Sequence, residues 1–166
     1  MIQRDFIVAW RQQAPWPTDA QVEQDLVLSR ALVEIFRDPL LSRELAFRGG
    51  TALHKLFLPT PARYSEDIDL VQISPGPIGP VMSALRKLLD PWLGIPRRSQ
   101  SEGRMTFIYR FESELPPIVP LRKYWVSLNL HLIDSPIRRQ SSLVQFRVYP
   151  RMQKRTVLQL FRRVLA

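Results

Sequence analysis

The sequence contains no cysteine and only two histidines. The absence of cysteine excludes disulfide bonds, thiolate zinc sites, iron–sulfur clusters and a cysteine nucleophile. With only two imidazoles, a histidine-rich metal site is also disfavoured.

Long hydrophobic runs are missing too, and no stretch of about 18 apolar residues exists that could form a transmembrane helix. At the N-terminus, Asp5 and Trp10 interrupt any signal-peptide core, so we expect a cytoplasmic protein with no membrane partner. The 166 residues are 45% hydrophobic and 23% charged, which is typical of a folded protein. We therefore predict a single domain over residues 1–166.

Acidic residues are scarce in the second half of the chain. Residues 97–166 carry 14 Lys and Arg but only 4 Asp and Glu, and no acidic residue follows Asp134. This imbalance favours a polyanionic partner such as RNA or the phosphates of a nucleotide. Compositional bias remains an alternative, because 20 of the 24 basic residues are arginine.

The order of predicted helices and strands indicates an α/β or α+β domain. Thr18 and Asp19 predict the start of a helix that runs to about Asp38. Further helices are predicted over residues 51–57, 79–93 and 152–165, and strands over residues 45–47, 68–73, 104–112, 122–133 and 143–149.

Gly49, Gly50 and Thr51 lie between a predicted strand and a predicted helix. Glycines allow a sharp turn and the close approach of a ligand to the backbone. The following helix N-terminus presents unpaired N–H groups that suit a phosphate. Taken alone, this pattern is weak, because most glycine pairs only form turns.

Asp67 and Asp69 are two residues apart on a predicted strand, so both carboxylates project from the same face. Two such like charges repel, and a divalent cation removes the repulsion; Mg²⁺ typically uses a few carboxylates together with substrate phosphates. Two ordinary surface acids are the alternative for this pair. Together with the Gly-Gly-Thr turn, however, the pair predicts metal-assisted phosphoryl or nucleotidyl transfer.

The segment Gly-Gly-Thr-Ala-Leu-His-Lys, followed by Arg-Tyr-Ser-Glu-Asp-Ile-Asp-Leu, resembles the AbiEii/AbiGii-type nucleotidyltransferase toxins. These toxins belong to the DNA polymerase β-like nucleotidyltransferase superfamily. The resemblance is strongest over residues 20–73 and looser to about residue 149. It implies a mixed β-sheet flanked by helices, and transfer of a nucleoside monophosphate from an NTP with Mg²⁺. The implied acceptor is tRNA, another RNA or a protein hydroxyl, and the implied setting is a toxin–antitoxin or phage-defence system with an antitoxin partner.

The resemblance also implies roles for individual residues. Asp67 and Asp69 match the catalytic metal-binding pair, and the Gly49–Thr51 turn matches the element that holds the triphosphate. Arg63 and Ser65 belong to the motif and are assigned to nucleotide binding, Arg63 as a phosphate contact; for Ser65, a role as a turn cap alone is the alternative. Lys55 either reaches phosphate or is a solvated helix residue, and the second interpretation is favoured.

The chain departs from the family pattern at the expected third carboxylate. The matching strand carries Ser127, Asn129 and His131 on its polar face, and Asn129 is the best match. An amide oxygen can ligate a hard cation, but it brings no charge and cannot act as a general base. Asp134, Glu112 and Glu114 are the weaker alternatives.

The family's later motifs are also missing, which suggests that the C-terminus is truncated or frameshifted. A catalytically impaired relative that binds nucleotide, RNA or an antitoxin is therefore the alternative to an active nucleotidyltransferase. A generic RNA-binding domain with an incidental aspartate pair is a third, less favoured, hypothesis.

Overall fold

A computed structural model describes residues 2–58, 64–101, 103–113 and 124–132, and the structural statements below concern these residues. The helices are α1 (Arg4–Arg11), α2 (Asp19–Arg37), α3 (Pro39–Glu44), α4 (Gly49–Phe57) and α5 (Gly79–Leu93). The strands are β1 (Leu45–Arg48), β2 (Asp67–Gln72), β3 (Arg97–Ser101), β4 (Arg104–Phe111) and β5 (Tyr124–His131).

The five strands form one sheet in the order β1-β2-β5-β4-β3. Strands β2 and β5 are parallel, and the other neighbouring pairs are antiparallel. Helices flank this sheet, with α2 contacting β5 and α5 contacting β4. The prediction of a mixed sheet flanked by helices is therefore confirmed.

Helix α2 begins where the sequence predicts, at a capping box. The Thr18 hydroxyl accepts a hydrogen bond from the Gln21 backbone N–H, and the Gln21 side chain accepts one from the Thr18 N–H. Asp38 ends α2 and also caps α3, because its carboxylate accepts from the backbone N–H groups of Leu40 and Leu41 at 2.9 Å each.

Side chains along each strand point alternately to a core face and to an open face of the sheet. In β2, Ile68 and Leu70 are fully buried, whereas Asp67 is exposed and Asp69 partly exposed. In β4 and β5 the buried residues are Met105, Phe107, Tyr109, Phe111, Val126, Leu128 and Leu130. We call the opposite side of β2, β5, β4 and β3 the open face; it is the side that carries the two aspartates.

Three elements were not predicted from the sequence: α1, α3 and β3. Strand β3 reads Arg-Arg-Ser-Gln-Ser, is exposed throughout, and has no apolar alternation that would predict a strand. It exists because its backbone pairs with β4 next to Gly103, whose φ of 66° suits a tight turn. The predicted elements at 143–149 and 152–165 lie outside the described residues. Within the described part of the chain, no helix is long and apolar enough to cross a bilayer.

Candidate functional site

Strand register brings the candidate residues from three strands into one row. Arg48 on β1 lies opposite Asp69 on β2, and Asp69 lies opposite Asn129 on β5. Asp67 lies opposite Ser127 in the neighbouring row. Because β5 follows β2 by more than 50 residues, this row depends on the parallel pairing of the two strands.

The first residue of α4, Gly49, lies against the Asp69 carboxylate. Gly49 has a φ of 82°, a backbone conformation that favours glycine. A Cβ built on Gly49 would overlap the Asp69 Oδ2 atom. The contact shown is between Gly49 and Asp69. A cleft shared by both aspartates with Gly50 and Thr51 stays a prediction.

Helix α4 begins at Gly49, two residues before the predicted start, and Arg48 is its N-cap. The Arg48 side chain makes no capping hydrogen bond to the helix. Gly50 is exposed. The first backbone N–H groups of a helix have no partner within the helix, so this end carries the positive end of the helix dipole.

A hydroxyl pair joins α4 to the segment before β2. Thr51 is buried, and its Oγ1 atom lies 2.5 Å from the Ser65 Oγ atom. Ser65 Oγ also accepts a hydrogen bond from the Asp67 backbone N–H at 3.4 Å. This last contact agrees with a turn-capping role for Ser65, and the pair fixes the helix start relative to the aspartates.

Asn129 connects Asp69 to β4. Its Nδ2 atom donates to Asp69 Oδ1 at 3.1 Å, and its Oδ1 atom accepts from the Thr106 hydroxyl at 2.9 Å. Asn129 therefore lies where the third carboxylate was expected, beside Asp69. In this arrangement its N–H₂ group, and not its oxygen, points at the carboxylate.

Two further residues, His131 and Arg48, complete the surroundings of Asp69. His131 Nε2 lies 3.8 Å from Asp69 Oδ1, which is longer than a hydrogen bond, and Arg48 Nη2 lies 3.3 Å from both ring nitrogens of His131. His131 contributes most to holding the pKa of Asp69 below its ordinary value, and the Asn129 amide and Arg48 add to it against the opposing effect of burial. Sequence reasoning placed His131 on the polar face but gave neither residue a role.

Two carboxylates are available to a cation at this site. Among the described residues, no group of three or more His, Asp or Glu side chains is arranged to hold a metal ion. Glu112 lies just beyond the end of β4, six residues along the chain from Thr106, which corresponds to about 20 Å. Glu112 is therefore remote from Asp69. Arg63, Glu114 and Asp134 lie outside the described residues.

The interpretation of Lys55 as a solvated residue was wrong. Its ammonium group is buried and lies 2.7 Å from Asp25 Oδ1 and 2.9 Å from the Ser29 hydroxyl. The Trp10 indole N–H donates to the other oxygen of Asp25 at 2.9 Å. Lys55 thus joins α4 to α2 within the protein interior. Its ammonium group is directed at Asp25 and Ser29, and not at the start of α4 where a phosphate is expected.

Comparisons with known proteins agree with the motif. A family model described as the nucleotidyl transferase AbiEii toxin of a type IV toxin–antitoxin system matches residues 30–122, more than half of the chain. No curated protein matches. Nine chains of solved structures match, among them MenT4, a nucleotidyltransferase toxin from Mycobacterium tuberculosis, at 14% identity and a TM-score of 0.45. That match covers 82% of this chain but only 45% of MenT4.

Proposed function

The chain belongs to the AbiEii family of nucleotidyl transferase toxins, and from this we propose that it transfers a nucleoside monophosphate from an NTP to an acceptor. The observation that carries the proposal is the contact between Gly49 and the Asp69 carboxylate. This contact brings a helix N-terminus, which suits phosphate, together with a carboxylate pair, which suits a cation.

We assign the triphosphate to the start of α4, at Gly49–Thr51. The helix dipole and the N–H groups of the first turn attract the negative charge of phosphate. The Thr51 and Ser65 hydroxyl groups are hydrogen-bonded to each other, so we propose that this pair orders the start of α4. Arg63 remains a predicted phosphate contact.

Asp67 and Asp69 fit a Mg²⁺ ion, because this ion commonly uses one or two carboxylates and completes its shell with substrate phosphates and water. When bound, the ion would neutralise charge on the transferred phosphate. Asn129 could add an amide oxygen only after its side chain rotates, because its N–H₂ group now faces Asp69.

A second candidate function follows from the surroundings of Asp69. Asn129 donates a hydrogen bond to this carboxylate, and Arg48 and His131 place further positive charge or N–H groups beside it. These groups stabilise the charged carboxylate without a cation, and Asn129 supplies no general base. An impaired relative that binds nucleotide, RNA or an antitoxin is therefore the alternative.

We propose RNA, including tRNA, as the first acceptor to test, with a protein hydroxyl as the second. The setting would be a toxin–antitoxin system in the cytoplasm, with an antitoxin that opposes the toxin. The family match supports the toxin assignment. We likewise propose the use of an NTP and of Mg²⁺, and the assay below tests both.

The experiment is a transfer assay with each of the four α-radiolabelled NTPs, bulk tRNA, and the protein itself as acceptors, with Mg²⁺ or with EDTA. We expect label transfer that requires Mg²⁺ and disappears in Asp67→Asn and Asp69→Asn. Asp38→Asn is the matched control, because asparagine caps a helix as well as aspartate does. No transfer, together with calorimetric NTP binding, would favour the impaired relative. Absence of both transfer and NTP binding would contradict the transferase and a nucleotide-binding relative, and would leave only a relative that binds RNA or an antitoxin.

A further inference from the structure

The open face extends well beyond the two aspartates. Pairing between β5 and β4 places Trp125 opposite Arg110, Ser127 opposite Ile108, and His131 opposite Arg104. Directly opposed residues of antiparallel strands share one face and have neighbouring side chains. The face therefore continues from the aspartates across β5 to β4, which carries Arg104 and Arg110 at its two ends.

Trp125 is the unusual member of this face. Its surface is 48% exposed, and it is an aromatic residue on a strand whose core-side neighbour Val126 is fully buried. Its backbone is fixed from the core side, because the Gln24 side chain donates to its carbonyl oxygen and also accepts from Tyr64. An exposed indole on a fixed strand offers a flat stacking surface. Because the strand is already ordered, binding costs little conformational entropy.

The position of Trp125 relative to the aspartates suits a polynucleotide. Trp125 is two residues along β5 from Ser127, which lies opposite Asp67. Strand geometry puts the Cα atoms of Trp125 and Asp67 about 9 Å apart, from about 7 Å along β5 and about 5 Å between strands. This separation is on the scale of one nucleotide.

Arginines of β4 and β3 lie on one side of Trp125, and Asp67 of β2 lies on the other. Arg110 is its cross-strand neighbour, and Arg97 on β3 lies opposite Ile108, so both occupy the open face. Both arginines are exposed. Glu112, just beyond β4, is a further exposed acidic residue. An exposed aromatic ring with arginines beside it is typical of single-stranded nucleic-acid sites, where the ring stacks on a base and the positive charge follows the phosphates.

We propose that the open face binds a single-stranded stretch of RNA, with one base stacked on Trp125 and phosphates on Arg110 and Arg97. This inference rests on the proposed function, because it places the acceptor strand beside the aspartates. This RNA surface is formed by strands β3, β4 and β5, and does not include the basic segment after residue 137.

The test measures binding of a labelled single-stranded RNA by fluorescence anisotropy without NTP or Mg²⁺, so that binding does not depend on transfer. We expect Trp125→Ala to raise the Kd about tenfold, since stacking on one aromatic ring contributes on that order. Trp125→Phe keeps a ring and should stay within about threefold of the native chain. A DNA oligonucleotide of the same sequence, measured in parallel, determines whether the 2′-hydroxyl contributes.

A second measurement uses the arginines. Arg110→Ala should lower the slope of log K against log salt by about 0.7, the value for one phosphate contact on a single strand. The matched control is Arg86→Ala. Arg86 is an exposed arginine on α5, a helix that contacts β4 from the side opposite the open face. This variant should leave the slope unchanged. Thermal unfolding of each variant confirms that it is folded. If Trp125→Ala does not fold, Trp125→Phe, Arg110→Ala and photocrosslinking of thiouridine RNA to Trp125 decide the question.

Three outcomes would overturn the inference: no RNA binding by the native chain, an unchanged Kd in folded Trp125→Ala, or crosslinks that avoid β4 and β5. Failure of the proposed function gives a different result. In that case RNA binding still depends on Trp125, but no NTP supports Asp67-dependent transfer. Transfer to a protein acceptor without RNA binding would support the proposed nucleotidyltransferase function and contradict the RNA-binding surface.

Discussion

Gly49 lies so close to Asp69 that a side chain at position 49 would occupy the space of the Asp69 Oδ2 atom. Two features therefore require glycine at this position: its φ of 82°, and the lack of space for a side chain beside Asp69. Through this contact, the start of α4 and the strand that carries the aspartates are held in one fixed arrangement.

Gly49→Ala should destabilise the protein and weaken NTP binding. An alanine at positive φ costs roughly 1–2 kcal/mol, and displacement of Asp69 adds to this. Gly94→Ala is the matched control, because Gly94 also has a φ of 82°, but no atom of the described residues would lie within 4 Å of a Cβ added there. Chemical unfolding and NTP calorimetry measure both effects. Equal losses in the two variants, with NTP binding retained in Gly49→Ala, would contradict a role for the contact.

Asn129→Asp should raise the affinity for Mg²⁺ and lower stability in its absence. The substitution places a second carboxylate about 3 Å from that of Asp69, and like charges at this distance repel until a cation binds. We therefore expect a larger rise in melting temperature on adding Mg²⁺ than in the native chain. NTP transfer should also increase if the site lacks only this carboxylate.

Asn129→Ala is the control, because it removes the hydrogen bond to Asp69 without adding charge. Robust, Asp67-dependent transfer by the native chain, with no gain in Asn129→Asp, would mean that the third ligand lies elsewhere. Asp134 would then be the next residue to replace.

The sheet and the aspartate pair were predictable because their signals are local. Ile68 and Leu70 alternate with Asp67 and Asp69, and this period of two determines which side chains enter the core. The expectation for Asn129 came from the family resemblance, since only chain topology could show that β5 pairs with β2.

The surroundings of Asp69 were less predictable because they join distant parts of the chain. Arg48 and His131 are 83 residues apart in sequence, and no local pattern relates them. Lys55 resembled a surface residue because lysine is rarely buried unless it is paired. Its partner, Asp25, lies 30 residues away on α2, and no local pattern relates the two residues.

RNA binding by the basic segment at residues 138–163 should depend steeply on salt. This segment contains eight Lys and Arg and no acidic residue. Three phosphate contacts would weaken binding by about tenfold or more between about 50 and 200 mM salt, through counterion release. Arg138→Gln with Arg139→Gln should lower the salt slope by about 1.4, whereas the exposed Arg43→Gln should not. Salt-independent binding would favour compositional bias as the origin of these charges.

The buried Asp25–Lys55 pair should contribute to stability far more than an exposed pair does. Asp25→Asn leaves the Lys55 ammonium buried without its charge partner, which typically costs about 3–5 kcal/mol. Replacing both residues, as Asp25→Leu with Lys55→Met, should cost less than the two single changes together. Arg86→Ala, at a partly exposed i,i+4 pair, should cost about 0.5 kcal/mol.

The contribution of this pair should also depend on pH. Burial raises the pKa of Asp25, but Lys55 and the Trp10 indole outweigh it and hold the pKa below its ordinary value of 3.8. A depressed folded-state pKa gives stability that is fully present above the unfolded value and is lost as pH falls through the folded value. The difference in unfolding free energy between the native chain and Asp25→Asn should therefore be largest above about pH 4 and shrink in more acidic solution. Urea unfolding at several pH values measures it, and a difference that stays constant or grows below about pH 4 would contradict the ion pair as its source.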